Sequence, residues 1–285
     1  MKGHLMYKDN NSAREIIEMQ EEDGSWGIFH TLSEPNKNPL TTEQALRRLQ
    51  VLGFDINDKC IRKSVDYMTA CLIGDKEIPD LKEKTHDNQI FRDMMLSTWI
   101  RKFTKDNKMA NEVALKWSKI ISHAFQTQSY NHDAYLKSYE QTFGKKANGD
   151  RLVDFVNYYQ VSLIGGLLSA EIEKKVLNHI LNHRNGIYYI GYRKKLSELP
   201  IEFTSKQTVK FLACIEHLKD YTCLESELDN VVKWIYKNAH DKQWDLGTKC
   251  KDKIYMPLSD TWRSKENRVK DSTYFVRKIL DVIKG

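Results

Sequence analysis

Two His-Asp dipeptides are the first candidates for proton-transfer chemistry in this chain of 285 residues. His86 precedes Asp87, and His132 precedes Asp133. An imidazole beside a carboxylate can move protons when burial shifts the pKa values of the two groups. Adjacent residues of a helix do not face each other, however. Capping a helix is therefore an alternative role for either dipeptide. We take His86 and Asp87 as candidate catalytic residues, with capping as the alternative.

Residues 154–160, DFVNYYQ, form a second candidate because apolar and polar side chains alternate there. On a helix that lines a cavity, this pattern would turn Asp154, Asn157 and Tyr158 inward while Phe155 packs outside. Buried polar groups need hydrogen-bond partners, which neighbouring residues or a ligand can supply. The candidates from this region and from the preceding helices are Asp154 for catalysis and Arg151, Asn157, Tyr158 and Trp99 for ligand binding.

A polar and aromatic cluster near the C-terminus, MPLSDTWRSKENRVKDSTY, is the third candidate. Asp260 is its candidate catalytic carboxylate. Arg263 and Arg268 carry guanidinium groups, which can hold a diphosphate or a carboxylate through forked hydrogen bonds. Ion pairing at the surface is the alternative for both arginines. The cluster therefore predicts contacts to an anionic ligand.

Signals for a metal or a cofactor are weak. His179 and His183 stand four residues apart on a predicted helix, where a surface pair is the more frequent outcome than a zinc site. The sequence contains no phosphate-binding glycine loop, no serine-hydrolase elbow and no Cys-x-x-Cys pair. We therefore predict neither a metal nor a cofactor.

An internal repeat organises the elements that would position these residues. The stretch QEEDGSWG at residues 20–27 returns in part as NHRNGIY at 182–188 and as NAHDKQW at 238–244. Each copy places an amide side chain six residues before an aromatic ring. The rings of Trp26 and Tyr188 are 162 residues apart, three times 54, and Trp244 follows after 56 more. A period near fifty residues predicts repeated helical hairpins.

The first copy resembles the QW-type repeat of terpene cyclases and of protein prenyltransferase β subunits, also known as the prenyltransferase and squalene-oxidase repeat. The resemblance is specific over residues 20–27, extends to TTEQALRRLQVLG at 41–53, and weakens in the later copies. It implies an α/α toroid around a central cavity. It also implies that Gln20 caps a helix end and that Trp26 packs beside it, so that both stabilise the barrel and take no part in the chemistry.

Two functional signatures of that family are not carried over to this chain. Class II terpene cyclases protonate their substrate with an aspartate of a DxDD motif, but the closest match here, DIND, has Asn57 at the donor position. The prenyltransferase β subunits bind zinc through an Asp-x-Cys element. Asp58 and Cys60 have that spelling, but they occur too early in the chain, at a predicted turn.

The hydrophobic pattern predicts an all-α fold of about five helical hairpins in a single domain over residues 1–285. The resemblance implies that these hairpins form an α/α toroid. Thr41 and Gln44 have capping-box spacing before the second helix. If the inner helices begin at one rim, their polar first turns would attract anions, although capping alone explains most of these residues. A helical array that curls without closing is the alternative architecture. The predicted inner helices are residues 41–53, 88–103, 152–168, 205–218 and 271–283.

Composition narrows the function classes. The net charge is +6, from Lys and Arg scattered along the chain, which predicts no nucleic-acid partner and a mild preference for anionic small molecules. No apolar run approaches the length of a membrane span, so that we expect a cytoplasmic protein without a transmembrane segment. Five cysteines without a close pair favour reduced thiols.

Three hypotheses of function remain open at this point. The first is a cyclase-like or prenyltransferase-like protein that binds an isoprenoid diphosphate in a central cavity, with aromatic rings that stabilise carbocations. The second is a carbohydrate lyase or glycoside hydrolase, because such enzymes also use α/α toroids and need Tyr, His, Arg and carboxylates. The third is a noncatalytic module that binds a partner protein.

Overall fold

The structure is a computed structural model that describes residues 7–30, 38–80, 88–252 and 254–285; the side chains of Asp150 and Arg151 are also outside the description. The regular secondary structure of the described residues consists of helices, with no strand. This confirms the all-α prediction. Their helices are α1 (Asn11–Glu18), α2 (Thr42–Val51), α3 (Lys59–Ile73), α4 (Asn88–Phe103), α5 (Lys108–Ala124), α6 (His132–Phe143), α7 (Asp150–Val153), α8 (Tyr158–Ile164), α9 (Ala170–Asn182), α10 (Lys206–Glu216), α11 (Leu224–Glu227), α12 (Asp229–Lys237) and α13 (Lys265–Lys284).

Local capping explains where α2 begins. The side chain of Thr41 accepts a hydrogen bond from the backbone N–H of Gln44, and the Gln44 side chain accepts one from the backbone N–H of Thr41. This reciprocal pair satisfies two N–H groups that a helix start leaves open. The capping box predicted from the sequence is therefore confirmed.

The helix predicted over residues 152–168 is wrong, since the chain forms two shorter helices there. The short α7 ends at Val153, and α8 begins at Tyr158. The carboxamide oxygen of Asn157 accepts hydrogen bonds from the backbone N–H groups of Tyr159 and Gln160, both at 3.1 Å, and so starts α8 afresh. A polar residue that competes for backbone N–H groups favours a cap over a helix interior.

The last helix also begins earlier than predicted. Ser264 caps α13, which starts at Lys265, so that Asp271 lies inside the helix and not at its start. Asp271 is buried and accepts hydrogen bonds from the backbone N–H groups of Leu258 and Ser259, at 3.0 and 2.8 Å. It therefore fastens the preceding loop to α13.

The first and last parts of the chain pack against each other. The side chain of Asn10 donates a 2.6 Å hydrogen bond to the carbonyl oxygen of Leu258. Arg48 of α2 donates to the carbonyl oxygens of Ile254 and Pro257, at 2.8 and 2.6 Å. The central part of the chain is held by α4, which contacts α3, α5 and α8, while α10 packs on α13.

The first and third copies of the repeat have the same geometry. The indole N–H of Trp26 donates to the carbonyl oxygen of Ile16 at 2.6 Å, and that of Trp244 donates to the carbonyl oxygen of Ile235 at 2.8 Å. Each ring is buried, and each tryptophan backbone N–H donates to a threonine hydroxyl of the next long helix. Both rings thus tie the end of one helix to the start of its loop.

The second copy is different, because Tyr188 is 54% exposed. Its backbone pairs with the segment before α8, where the N–H of Tyr158 donates to the carbonyl oxygen of Tyr188 at 3.1 Å. Gln20 also differs from the implied helix cap. Its amide donates to the carbonyl oxygens of Gly24 and Cys60, at 3.0 and 2.8 Å, and so joins its own loop to the first turn of α3.

Candidate functional site

Several of the predicted site residues take up structural contacts at the surface. Asp154 is exposed and lies 3.2 Å from Nε2 of His183. Asp260, also exposed, accepts the backbone N–H of Asn11 at the start of α1. No contact among the described residues joins these two carboxylates, so that the structure does not bring them together in one site.

The remaining predictions divide in the same way. Arg268 makes a forked ion pair with Asp245, with both N–O distances at 2.8 Å, which agrees with the alternative of ion pairing. Arg263 is exposed. Asn157 is buried as the cap of α8. His86, Asp87 and the side chain of Arg151 lie outside the described residues. Tyr158 and Trp99 are buried in the interior, where Arg47 lies over the Tyr158 ring and Glu43 accepts a hydrogen bond from Trp99.

That interior group begins with Glu43 on α2, which we call the Glu43 cluster together with His30, Arg47, Trp99 and Tyr159. The carboxylate lies 2.8 Å from Nδ1 of His30 and 3.0 Å from a guanidinium nitrogen of Arg47. The hydroxyl of Tyr159 is 3.0 Å from both carboxylate oxygens, and the indole N–H of Trp99 donates at 3.3 Å. Every group around the carboxylate can stabilise its charge.

The environment of Glu43 lowers its pKa in spite of burial. Burial alone opposes ionisation, but the hydrogen bond from His30, the charge of Arg47 and the hydrogen bond from Tyr159 together lower the pKa to about 2. Burial and the nearby Glu43 carboxylate raise the pKa of the Tyr159 phenol. The cluster is therefore a carboxylate that stays ionised, beside a phenol that stays protonated.

Arg47 connects this cluster to a small internal cavity. Its guanidinium lies over the ring of Tyr158, 4.3 Å from the ring centroid. Its Nε atom is buried and has no hydrogen-bond partner among the described residues. An unpaired N–H donor in the interior is costly.

The cavity lies between α2, α4, α8 and α10, and we call it the central cavity. About 350 Å³ inside it is free of protein atoms, part of this open to solvent, and the enclosed part has room for about one or two water molecules. Lys219, at its edge, is exposed. The other lining residues are Arg47, Gln50, Val51, Lys102, Tyr158, Ala213, Glu216, His217 and Tyr255.

Lys102, in the last turn of α4, is the most unusual of these residues. Its Nζ atom lies 3.3 Å from Nδ1 of His217 and 3.4 Å from Oγ of Ser162, and no carboxylate of the described residues pairs with it. It also lies over the rings of Tyr158 and Trp99, at 5.0 and 5.9 Å from their centroids. Burial, followed by the charge of Lys219, lowers the pKa of Lys102 to about 7.

The tautomer of His217 follows from its two contacts. Its Nε2 lies 2.5 Å from the carbonyl oxygen of Tyr158, which can only accept, so that Nε2 carries the proton. The lone pair of Nδ1 then faces the ammonium of Lys102. Burial and the charge of Lys102 lower the pKa of His217 well below its ordinary value. His217 is therefore a neutral acceptor for an N–H of Lys102.

A charge count identifies what the cavity lacks. Arg47 is paired with Glu43, and Glu216 is paired with Lys278 at 2.5 Å. Each of these pairs cancels its own charge. Lys102 and Lys219 remain as cations at the cavity, one inside and one at the edge. The site is thus suited to an anion, which would replace the missing carboxylate.

Glu43, Arg47, Lys102 and His217 are not among the residues predicted from the sequence, although the sequence contains one signal for them. Glu43, Arg47 and Gln50 recur at helical spacing on α2, on a different side from Leu46 and Leu49. A polar stripe along a helix that is expected to be internal indicates a lined cavity. Lys102 and His217 carry no such signal, because each ends its helix in a stretch that also suits a solvated C-terminus.

Other kinds of site find no support in the described part of the chain. It contains no group of three His, Cys, Asp or Glu side chains placed to hold a metal ion. None of its helices has the length and apolar character needed to cross a bilayer. Comparison of the chain with models of protein families, with characterised proteins and with solved structures found no match.

Proposed function

We propose that this chain is an α/α toroid that binds a small anionic ligand in the central cavity. The observation that carries the proposal is Lys102, a cation inside the cavity without a carboxylate partner among the described residues. Burying an unpaired charge costs several kcal/mol, whereas an anion bound beside it returns much of that cost. Arg47, which pairs with Glu43, lines the same cavity.

Contacts between the two ends of the chain support closure of the toroid. Arg48 of the first hairpin donates to two carbonyl oxygens of the segment before α13, and the rings of Tyr7 and Tyr274 pack edge to face at 5.1 Å. An open helical array would leave its first and last hairpins apart. The repeated geometry of Trp26 and Trp244 supports the same architecture.

The size of the cavity favours a head group over a long chain. It has room for only about one or two water molecules, so that a carboxylate or a phosphate enters only when Lys219 and Gln50 at its edge move. The isoprenoid diphosphate suggested by the sequence resemblance fits this scheme if the diphosphate contacts Lys102 and the prenyl chain leaves through the mouth. Terpene-cyclase or prenyltransferase activity is the catalytic form of this proposal.

A second candidate is carbohydrate binding at the surface, and a cleft beside Asp154 favours it. The cleft has a volume of about 690 Å³, partly open to solvent, and it brings together Asp154, His183 and the exposed ring of Tyr188. Burial opposes the ionisation of Asp154, but the hydrogen bond with His183 lowers the pKa of the carboxyl. An aromatic ring beside an acid and an imidazole suits a sugar ligand of a lyase or a hydrolase.

Thermal unfolding of the purified chain against three ligand panels tests the proposal. The panels are inorganic phosphate and diphosphate with small carboxylates, prenyl diphosphates of increasing length, and neutral or acidic oligosaccharides. A ligand at about a hundred times its Kd stabilises by roughly 2.7 kcal/mol, enough to raise the Tm by several degrees. The proposal expects a shift with the first panel, and a larger one with prenyl length if the isoprenoid form holds.

Lys102→Met should lose the rise of the Tm with anions, because it removes the unpaired cation but keeps an apolar chain of similar length. Lys105→Met is the control, since Lys105 lies just beyond the end of α4, has a side chain that is 47% exposed and pairs with Asp220. The ligand should still raise the Tm of Lys105→Met. A rise of the Tm that persists in Lys102→Met would contradict the proposal. A shift only with sugars would favour the surface cleft, and silence from all panels would favour a noncatalytic interaction module. The cytoplasmic location stays a prediction.

A further inference from the structure

We propose that Lys102 captures a small oxo acid in the central cavity as a covalent imine, an inference that rests on the anion site proposed above. Three features of the cavity carry it: the position of the amine, the base that faces it, and the donors around it. The proposal names the ligand class as an aldehyde or ketone that carries a carboxylate.

The amine of Lys102 is placed as a nucleophile. Nζ lines the cavity and makes its hydrogen bonds with Nδ1 of His217, at 3.3 Å, and with Oγ of Ser162, at 3.4 Å. Neither partner is a carboxylate that would hold the amine as an ammonium. Because the Tyr158 carbonyl fixes the proton on Nε2 of His217, Nδ1 is free to accept a proton or an N–H hydrogen bond from the amine.

The charges around the amine favour its neutral form. Lys219 and Arg47 oppose a third cation in the cavity, whereas Glu216, on α10, and Asp220 favour one. Glu216 is itself paired with Lys278, and the phenols of Tyr158 and Tyr255 have raised pKa values, chiefly because of burial. With a pKa near 7, Lys102 is present near neutral pH both as the ammonium, which suits an anion, and as the neutral amine, which is the nucleophilic form.

The ligand's carboxylate has donors to meet. Arg47 lines the same cavity as Lys102, and Lys219 stands at its edge. The cavity has room for only about one or two water molecules, so that Lys219 and Gln50 at its edge must move to admit even the smallest oxo acids. Glyoxylate and pyruvate are therefore the probes of choice.

The step balances without an oxidant or a reductant. The lone pair of Nζ attacks the carbonyl carbon, a C–N bond forms, and the carbonyl π electrons move to oxygen. A proton passes from nitrogen to that oxygen, with Nδ1 of His217 as the acceptor that relays it, and gives a carbinolamine. Loss of the hydroxyl with a proton as water forms the C=N bond, so that amine and carbonyl become imine and water.

Reductive trapping tests the proposal on the full chain. Glyoxylate or pyruvate is incubated with the protein and cyanoborohydride, which reduces an imine to a stable secondary amine, and the labelled peptides are mapped by mass spectrometry. We expect labelling at Lys102 at least tenfold faster than at Lys105. The rate should rise between pH 6 and pH 8 as the amine loses its proton. Equal labelling of the two lysines, or none at Lys102, would overturn the proposal.

Lys102→Arg is the informative variant, because it keeps the cation but cannot form an imine. It should lose the adduct and keep the stabilisation by inorganic phosphate, whereas Lys105→Arg should keep both. If phosphate stabilises the wild-type chain but no imine is trapped, the imine is wrong and the anion site stands. If neither effect is found, both proposals fail. The far-ultraviolet circular dichroism and the Tm of each variant report whether it folds.

Discussion

The Nζ atom of Lys102 lies 3.3 Å from Nδ1 of His217, across 115 residues of sequence, and the two nitrogens face each other on the central cavity. The proton of the imidazole is held on the other side, at the carbonyl oxygen of Tyr158. An amine that meets a neutral acceptor and no carboxylate loses its proton more easily than a solvated lysine. This pair makes the stability of the protein sensitive to pH in a way that can be measured.

Lys102 should make the protein more stable as the pH rises from 7 to 10.5. Its pKa is about 7 when folded and near 10.5 as a free side chain, so that the unfolded chain binds more protons in this window. Stability should rise by up to about 1.4 kcal/mol per pH unit from this group. Urea unfolding of the wild type and of Lys102→Met at pH 7, 8.5 and 10 measures it.

The difference between the two proteins should be largest at pH 7 and shrink as pH rises, since Lys102→Met removes the buried charge. Lys119→Met, at an exposed position of α5, is the control and should follow the wild type at every pH. A constant difference between Lys102→Met and the wild type would show that the lysine has an ordinary pKa.

Glu43→Gln should destabilise the fold by about 3 to 5 kcal/mol, because it leaves Arg47 without its buried carboxylate. The amide also cannot accept all four hydrogen bonds around the carboxylate. Urea unfolding at pH 7 is the measurement. Glu22→Gln changes an exposed residue of the first hairpin in the same way and should cost less than about 0.5 kcal/mol.

Acid should act through the same carboxylate. The pKa of Glu43 is lowered from 4.5 to about 2, so that its stabilising effect is complete above pH 4.5 and is lost as the pH falls through 2. The stability of the wild type should therefore fall more steeply between pH 4.5 and pH 2 than that of Glu43→Gln. Parallel acid profiles of the two proteins would mean that Glu43 is not held ionised by its neighbours.

Trp26→Phe and Trp244→Phe should each cost more than Trp117→Phe. All three rings are buried and lose similar volume, but only the first two lose an indole hydrogen bond to a backbone carbonyl. The Nε1 atom of Trp117 has no partner among the described residues. In urea unfolding, Trp26→Phe and Trp244→Phe should each lose about 1 to 3 kcal/mol more stability than Trp117→Phe. Equal costs for the three variants would argue against a structural repeat.

Gly24→Ala should be far more damaging than Gly74→Ala, although both glycines have a positive φ, 96° and 89°. A methyl group on Gly24 would lie 2.4 Å from the carbonyl oxygen of Lys63, whereas one on Gly74 would meet nothing within 4 Å. Both variants pay the backbone strain, so that the difference measures the close approach of the repeat loop to α3. Differential scanning calorimetry should place Gly24→Ala well below Gly74→Ala in Tm.

The parts of the fold that sequence predicted correctly depend on local signals. The capping box of Thr41 and Gln44 spans three residues, and the DGSWG loop is specified by adjacent residues. Tyr188 shows that the spacing of the repeat does not predict burial, since its ring occupies the repeated position and is half exposed. The break before α8 was missed because Asn157 fits a helical pattern of polar residues equally well as a cap.

The candidate site was less predictable because its contacts join distant residues. Glu43 meets Tyr159 across 116 residues, and Lys102 meets His217 across 115. Whether a lysine at a helix end is solvated or lines a cavity depends on which helices pack beside it, and periodicity does not encode that. Tyr158 and Trp99 are buried, as large aromatic residues of inner helices are expected to be, and their role in ligand binding stays a prediction.

The measurement that tests the central claim most directly is the titration of Lys102 followed by NMR of selectively labelled lysine side chains. Lys102→Arg assigns the signal. The account predicts a midpoint near pH 7 without ligand and a clear rise in that midpoint when inorganic phosphate or diphosphate is added, since a bound anion stabilises the ammonium. A midpoint near 10.5 that no anion changes would contradict the assignment of the central cavity as an anion site.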